Sequence, residues 1–289
     1  MRPHLMENKV VLITGATSGI GKETAHSLAE MGATVIILGR DRAKGDRAVR
    51  DIRAATGNLN LEFIECDLSS LDSVGRAIAE FRDKYDRLDV LVNNAGMASY
   101  DRKLSADGYE LTFAVNHLAH YLLTTRILDV LIASAPARIV VVSSTNHYKG
   151  HIDFDDLMGE KRYTVMRSYS QSKLANALFT FELARRLEGT EVTANCLCPG
   201  YVRTGLQKRA LRGFPRLVDI ALGAFKKSPE RGARTSVFLA SSPEVEGTTG
   251  MYFTGMKMRN PSQEARDEAV AAQLWEISEH LVGGTDRQG

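Results

Sequence analysis

Val10-Val11-Leu12-Ile13-Thr14-Gly15-Ala16-Thr17-Ser18-Gly19-Ile20-Gly21 is the stretch on which the fold turns. Val10–Thr14 is a short apolar run of the kind that fills a parallel strand covered on both faces. Three glycines follow, and Lys22–Met31 then carries helical periodicity up to Gly32. A strand, a tight glycine-rich turn and a helix in direct succession form the opening unit of a strand–helix–strand repeat.

Outward from this unit the alternation continues. Strands are predicted at Thr34–Leu38, Leu61–Cys66, Leu88–Asn93, Arg138–Ser143 and Val192–Cys198. Helices are predicted between them at Arg42–Thr56, Leu71–Tyr85, Leu118–Ile132 and Tyr169–Glu188, with Asp41 and either Ser69 or Ser70 as caps. Short strands alternating with helices imply right-handed crossovers and a parallel sheet with helices on both faces. The expected fold is therefore doubly wound α/β, built as a single domain over 1–289. Two segments break the rhythm: a polar insertion near 146–167, and 204–227, whose apolar positions suit either a loop covering a substrate or a helical stripe facing the core. Ser228-Pro229-Glu230 then restarts a helix, with serine as cap and proline at its first position.

Composition narrows the function. The 289 residues carry 37 basic and 35 acidic side chains, a net charge of +2, so neither nucleic acid nor an anionic membrane is expected as partner. Cys66, Cys196 and Cys198 are too few and too odd in number for a disulfide framework, which points to a reducing compartment. No run of 18 apolar residues and no apolar leader core is present, so a cytoplasmic chain without a membrane span is expected.

The glycine-rich turn acquires meaning from its place. Glycines at 15, 19 and 21 let the backbone approach a pyrophosphate at a helix N-terminus, with Thr17, Ser18 and Ile20 completing the cradle. Alone the motif is weak evidence, but at the first turn of an alternating sheet it is where a dinucleotide binds. The end of the second strand discriminates between dinucleotides. An NAD site usually places a carboxylate there for the adenosine ribose. Here Leu38-Gly39-Arg40 offers no acid and a guanidinium suited to a 2′-phosphate, so NADP(H) is the expected cofactor.

Tyr169 and Lys173, four residues apart, share one helical face with Cβ atoms roughly 5–6 Å apart. A free phenol titrates near pH ~10. An ammonium about 4 Å away, at an effective dielectric of ~20, favours the phenolate by ~4 kcal/mol, enough to bring proton exchange to roughly neutral pH. Ser143-Ser144 ends a strand at the sheet edge where ligands bind, and a serine there can donate to a substrate oxygen. Asn93-Asn94-Ala95-Gly96 ends another strand at that edge, and Asn116 early in the next helix can hold a water for a proton relay. Each has a plainer reading as a cap or turn residue; together they converge on one edge.

Taken together these residues resemble the short-chain dehydrogenase/reductase family over nearly the whole chain. The resemblance implies a Rossmann fold with a mainly parallel seven-stranded sheet. It further implies that Tyr169 is the acid/base, that Ser144 rather than Ser143 positions the carbonyl, and that Asn116 completes the relay. Lys173 would hold the nicotinamide ribose and lower the tyrosine pKa. Asp67 and Leu68 are implied beside the adenine, Asn94, Ala95 and Gly96 along the cofactor, and Pro199, Gly200, Val202 and Thr204 at the nicotinamide amide. The serine-to-tyrosine separation, 169 − 144 = 25, exceeds that of most compact members. With Ser144-Thr145-Asn146-His147 and Lys173-Leu174-Ala175-Asn176, it is similar to the retinol dehydrogenase-like and WW-domain oxidoreductase-like subgroup. That likeness implies a lipophilic aldehyde, ketone or secondary alcohol, retinoid- or steroid-like, as small-molecule substrate. It also implies a homodimer or homotetramer packed through the helices near 118–132 and 169–188.

His117 with His120, and His147 with His151, have spacings that occur in metal sites, but neither pair has a third ligand in view. Hydride transfer needs no metal, so none is expected and the histidines are read as packing or loop hydrogen bonds. The alternative to an enzyme is a non-catalytic NADP(H)-binding sensor or scaffold, against which the intact Asn116, Ser144, Tyr169 and Lys173 set argues.

Overall fold

The run Val10–Thr14 is strand β1, and its alternation sets the architecture. Leu12 packs into one apolar layer, while Val11 and Ile13 pack into the other, as a two-residue period through a covered sheet requires. The computed structural model describes residues 4–200 and 228–283. Within them β1, β2 (Thr34–Gly39), β3 (Leu61–Glu65), β4 (Val90–Asn93), β5 (Ala137–Val142), β6 (Val192–Cys198) and β7 (Tyr252–Thr254) run parallel. Their spatial order is β3-β2-β1-β4-β5-β6-β7, so the winding direction reverses between β1 and β4. The crevice at that switch point, beyond the carboxyl ends of the strands, is where α/β sheets bind ligands.

An eighth strand, β8 (Lys257–Arg259), corrects the expected count of seven. It pairs antiparallel with β7 through a turn at Gly255 and Met256, both at left-handed φ (60° and 62°). Its three residues are exposed and lack an apolar face, so no period-two pattern betrays them.

Helices α1 (Gly19–Glu30) and α2 (Arg42–Thr56) supply one layer, and α3 (Leu71–Lys84) the other. Asp41 caps α2 by accepting from the Lys44 N–H at 3.0 Å, and Ser70, not Ser69, caps α3. The stretch expected as one helix over 118–132 is broken. A short turn at Leu111–Phe113 and a π-helical turn at Ala114–Leu118 lead into α4 (Ala119–Arg126), and α5 (Leu128–Ala133) follows after Ile127 leaves helical geometry. The Arg82 guanidinium binds the Arg126 carbonyl at 2.7 Å at this break, satisfying an end that regular helix would have used.

Helix α6 (Val165–Arg186) begins four residues before Tyr169, because Thr164 caps it by accepting from the Arg167 N–H at 3.1 Å. Residues 146–167 fold back over it. Gly150 lies so close that a Cβ would meet the Ser170 carbonyl oxygen at 2.6 Å, and Arg167 pairs with Asp153 and Asp156. Helix α7 (Pro229–Ser241) starts with Ser228 as cap and Pro229 in its first turn. Helix α8 (Glu268–Gly283) lies over α4 and α6, stacking Trp275 on Phe179 at 5.7 Å and edge-on to Tyr121 at 5.0 Å. The face through which copies were expected to pair is thus covered by the chain's own helix. No helix of the described residues is long and apolar enough to cross a membrane.

Candidate active site

Glycine is required in the cradle by contact as well as by conformation. Gly15 and Gly19 adopt left-handed φ (66° and 59°), and a Cβ on Gly15 would stand 2.9 Å from Ala95. A Cβ on Gly21 would meet Asn94 Nδ2 at 2.5 Å and the Gly15 carbonyl oxygen at 2.6 Å. Ser18, at the N-cap of α1, makes no side-chain cap bond, so the first amides of this helix point at the cradle unanswered by its hydroxyl. Backbone of this shape, with a helix N-terminus behind it, fits a pyrophosphate.

At the end of β2, a Cβ on Gly39 would meet Thr17 Cγ2 at 2.8 Å and the Phe63 ring at 3.3 Å. No acidic side chain fits there without moving Thr17. Arg40 next to it is exposed, and its guanidinium enters no salt bridge among the described residues. Asp67 follows β3, its carboxylate accepting from the Ser69 N–H (3.0 Å) and hydroxyl (2.7 Å), with Leu68 almost fully buried beside it. These positions fit the adenosine end of a dinucleotide.

Thr14, which the sequence shows only as the first residue of the Thr14–Gly21 cradle, joins it to the neighbouring strand end. Its hydroxyl lies 2.9 Å from the Asn94 N–H, the Ala95 N–H and His120 Nε2 alike. Asn94 returns its side-chain amide to the Thr14 carbonyl at 2.7 Å. The clue was a single polar residue ending an otherwise apolar run.

Lys173 is the centre of the arrangement. It is buried, its Nζ donates to the Val142 carbonyl at 2.9 Å and lies 5.8 Å from the centre of the Tyr169 ring. Burial pulls its pKa down to about 8, so it keeps its charge at neutral pH. A Cβ on Gly96 would meet Lys173 Nζ at 3.2 Å and Asn116 Oδ1 at 3.5 Å, which puts these three positions in one small space. Ser143 and Ser144 separate cleanly. The Ser143 hydroxyl is buried and donates to the Lys173 carbonyl at 2.7 Å. Ser144 is partly exposed beyond the strand end, its hydroxyl accepts a 3.2 Å contact from the Asn146 N–H, and it caps the turn Thr145–Lys149.

Asn116 sits in the π-helical turn, a distortion that recurs at functional sites. Its side chain is committed within the fold: Oδ1 accepts from the Met97 N–H (2.7 Å), and Nδ2 donates to the Met97 carbonyl and the Ser172 hydroxyl (both 2.9 Å). The amide therefore ties the Gly96–Met97 turn to α6. Pro199 and Gly200 follow β6, with the Gly200 N–H on the Cys198 sulfur at 3.3 Å, while Val202, Thr204 and the expected cover at 204–227 lie outside the described residues.

The four histidines of the two spaced pairs all bond within the fold. His117 meets the Ser278 hydroxyl at 2.8 Å, His147 the Ser144 carbonyl at 2.6 Å, and His151 the Glu264 carboxylate. The cysteines are buried, and burial pushes the Cys66 thiol up to about 12 and that of Cys196 higher still.

The family model for short chain dehydrogenases matches residues 9–213. The chain belongs to this family. It is 48% identical over 298 aligned residues to human retinol dehydrogenase 14, covering 97% of this chain and 88% of the relative. Human retinol dehydrogenase 13 is 44% identical over 280 residues, with 95% and 85% covered. Among solved structures, an uncharacterised protein from Mycobacterium paratuberculosis is 36% identical and superposes with a TM-score of 0.78 over 97% of this chain and 95% of that one. Short-chain dehydrogenases are oxidoreductases that bind a nicotinamide cofactor, and the chain is a retinol dehydrogenase-like member.

Proposed function

We propose that this oxidoreductase uses NADP(H) to interconvert a lipophilic alcohol and its aldehyde or ketone, retinoid- or steroid-like, with Tyr169 as the proton-transfer group. The observation that carries the reading is the position of Lys173, buried between Gly96, the Val142 carbonyl and the Tyr169 ring. At a separation of about 6 Å and an effective dielectric of ~20, that ammonium favours phenolate by ~3 kcal/mol.

The bound nicotinamide would supply or accept the hydride. Tyr169 Oη gives its proton to the substrate oxygen in reduction and takes it back in oxidation. The Ser144 hydroxyl donates to the same oxygen as charge develops on it. Lys173 would hold the ribose hydroxyls of the bound cofactor and favours an acidic phenol, and Asn116 keeps the Gly96–Met97 turn against α6 so that neither drifts. Arg40, with Gly39 and Thr17 leaving no room for a carboxylate, favours a 2′-phosphate.

Support for a lipophilic substrate comes from the names of the relatives and from the rim. Met166, one helical turn before Tyr169, is 55% exposed, and Tyr148, shortly after Ser144, is 49% exposed. The test is NADPH oxidation against a panel of retinoid, steroid and short aliphatic carbonyls, with wild type and Tyr169→Phe. Turnover of the larger apolar compounds, abolished in Tyr169→Phe with NADPH binding intact, is expected. Turnover that survives the loss of the phenol would overturn the assignment.

A further inference from the structure

His120 completes a hydrogen-bond circuit in which the role of every atom follows from its neighbours. The imidazole is 1% exposed, Nδ1 lies 3.0 Å from the Asn116 carbonyl oxygen, and Nε2 lies 2.9 Å from Thr14 Oγ1. A carbonyl only accepts, so Nδ1 carries the hydrogen. In a neutral ring Nε2 is then the acceptor, and the Thr14 O–H must donate to it. That orientation aims both hydroxyl lone pairs at the Asn94 and Ala95 N–H groups, each at 2.9 Å. Among the described residues the other acceptor near the hydroxyl is the Val92 carbonyl at 3.5 Å, too long to compete. The ring therefore spans from the base of the cradle to the π-helical turn that holds Asn116, and Asn116 in turn holds Met97 and Ser172.

We propose that His120 is a positioning residue that locks the Asn94–Ala95 turn, and with it the dinucleotide cradle, to the helix carrying Asn116. Thr14 is the adaptor and the imidazole the strut. This rests on the function proposed above, because it assigns His120 to the registration of cofactor against the Tyr169–Lys173 face. The two ends of the strut serve different partners: Nε2 fixes the cradle side, and Nδ1 fixes the Asn116 side.

Two amide substitutions separate the ends. In His120→Gln the amide reaches the place of Nε2 and can still accept from Thr14, but the donor to Asn116 is lost. In His120→Asn the amide occupies the place of Nδ1 and can still donate to Asn116, but the Thr14 contact is lost. For each protein, NADPH affinity is read from nicotinamide fluorescence and kcat from turnover of the best carbonyl at saturating NADPH. His120→Gln should lose mainly kcat and His120→Asn mainly affinity, each by about tenfold, equivalent to ~1.4 kcal/mol. Thr14→Val, isosteric, removes the bonds to Asn94 and Ala95 together with the His120 contact, so it should lose at least as much affinity as His120→Asn, and Thr14→Ser should recover it; Thr14→Val that keeps wild-type affinity overturns the proposal even if the His120 variants do not fold. Wild type that fails to bind NADPH sinks the proposed function and this role with it. Wild type that binds, with variants losing thermal stability but sharing the wild-type affinity and kcat, overturns the role of His120 alone.

Discussion

The Ser143 hydroxyl donates to the Lys173 carbonyl at 2.7 Å, while Lys173 Nζ reaches back to the carbonyl of Val142 at 2.9 Å. Strand β5 and helix α6 thus hold each other by a reciprocal pair of buried bonds one residue apart. The pair fixes the height of Lys173 beneath Tyr169 and spends Ser143 in doing so. Ser144, one residue on, is partly exposed past the strand end, where the function proposed above puts the substrate oxygen.

This division of labour predicts opposite phenotypes for adjacent serines. Ser143→Ala removes a buried donor and should cost about 1 kcal/mol, a fall of roughly 2–4 °C in Tm. Ser144→Ala should leave Tm unchanged and reduce kcat by about 10²–10³, the usual worth of one donor to a developing oxyanion. Melting curves and steady-state rates on the two variants check this. A larger loss of kcat in Ser143→Ala would reverse the assignment.

Cofactor choice should follow Arg40. Arg40→Asp is expected to weaken NADPH by roughly 10–100-fold, the loss of a charge-assisted contact, and to leave NADH within a few fold. Gly39→Asp should behave differently. Its Cβ would stand 2.8 Å from Thr17 Cγ2, so the Thr17 side chain in the cradle must give way and both dinucleotides should bind more weakly. Titration of each variant with each cofactor separates the two effects; equal losses of NADPH and NADH in Arg40→Asp would remove the 2′-phosphate assignment.

Stability should fall on mild acidification. Burial holds His117 at a pKa of about 3 and His120 at about 4, both below the 6.5 of a free imidazole. Below pH 6.5 the unfolded chain takes up protons that the folded chain refuses, so the stabilisation present above that pH is lost as pH drops towards 4 and then 3. Each histidine adds a slope of ~1.4 kcal/mol per pH unit. Asp41, Asp51 and Asp89 have pKa values held below 3.8 by their lysine or arginine partners, so their losses come at lower pH. Urea unfolding between pH 7.5 and 4.5 should show the slope, and His117→Gln should reduce it by one proton's worth. A flat profile over that range contradicts the burial of both rings as neutral species.

Much of this was legible in the residues because it is periodic or local. The β1 run, the glycines and the Asp41 cap act over a few neighbouring residues, so their meaning is carried in order along the chain. Tyr169 and Lys173 are read from a single helical turn. What escaped was set at a distance. Thr14 and His120 meet across 106 positions, and nothing in either neighbourhood announces the other. The bonds of the Asn116 amide to Met97 and Ser172 are tertiary, and its neighbours in the chain do not show them. The start of α6 was misplaced although Thr164 carried a cap signal, because the polar insertion before it masked the helical period. Strand β8 exists only because β7 offers it an edge.

The covering of α4 and α6 by α8 leads to a last expectation. Every residue from Ser170 to Ala184 is buried in the lone chain, whereas a helix kept for a subunit contact leaves an apolar stripe exposed. Helix α8 fills that stripe: besides Trp275, it accepts the Tyr109 hydroxyl at the Leu281 carbonyl (2.8 Å) and the Tyr121 hydroxyl at Glu279 (3.1 Å), and Arg186 stacks over Trp275 at 4.3 Å. Two copies could pair through α4 and α6 only by displacing it. Amide exchange in α6 and α8 should therefore stay equally slow over a roughly hundredfold dilution, since mass action affects only contacts between copies. Trp275→Ala should destabilise the chain by about 3–5 kcal/mol and speed exchange in both helices. Protection of α6 that falls on dilution of the wild-type chain would mean that this face is shared between copies after all.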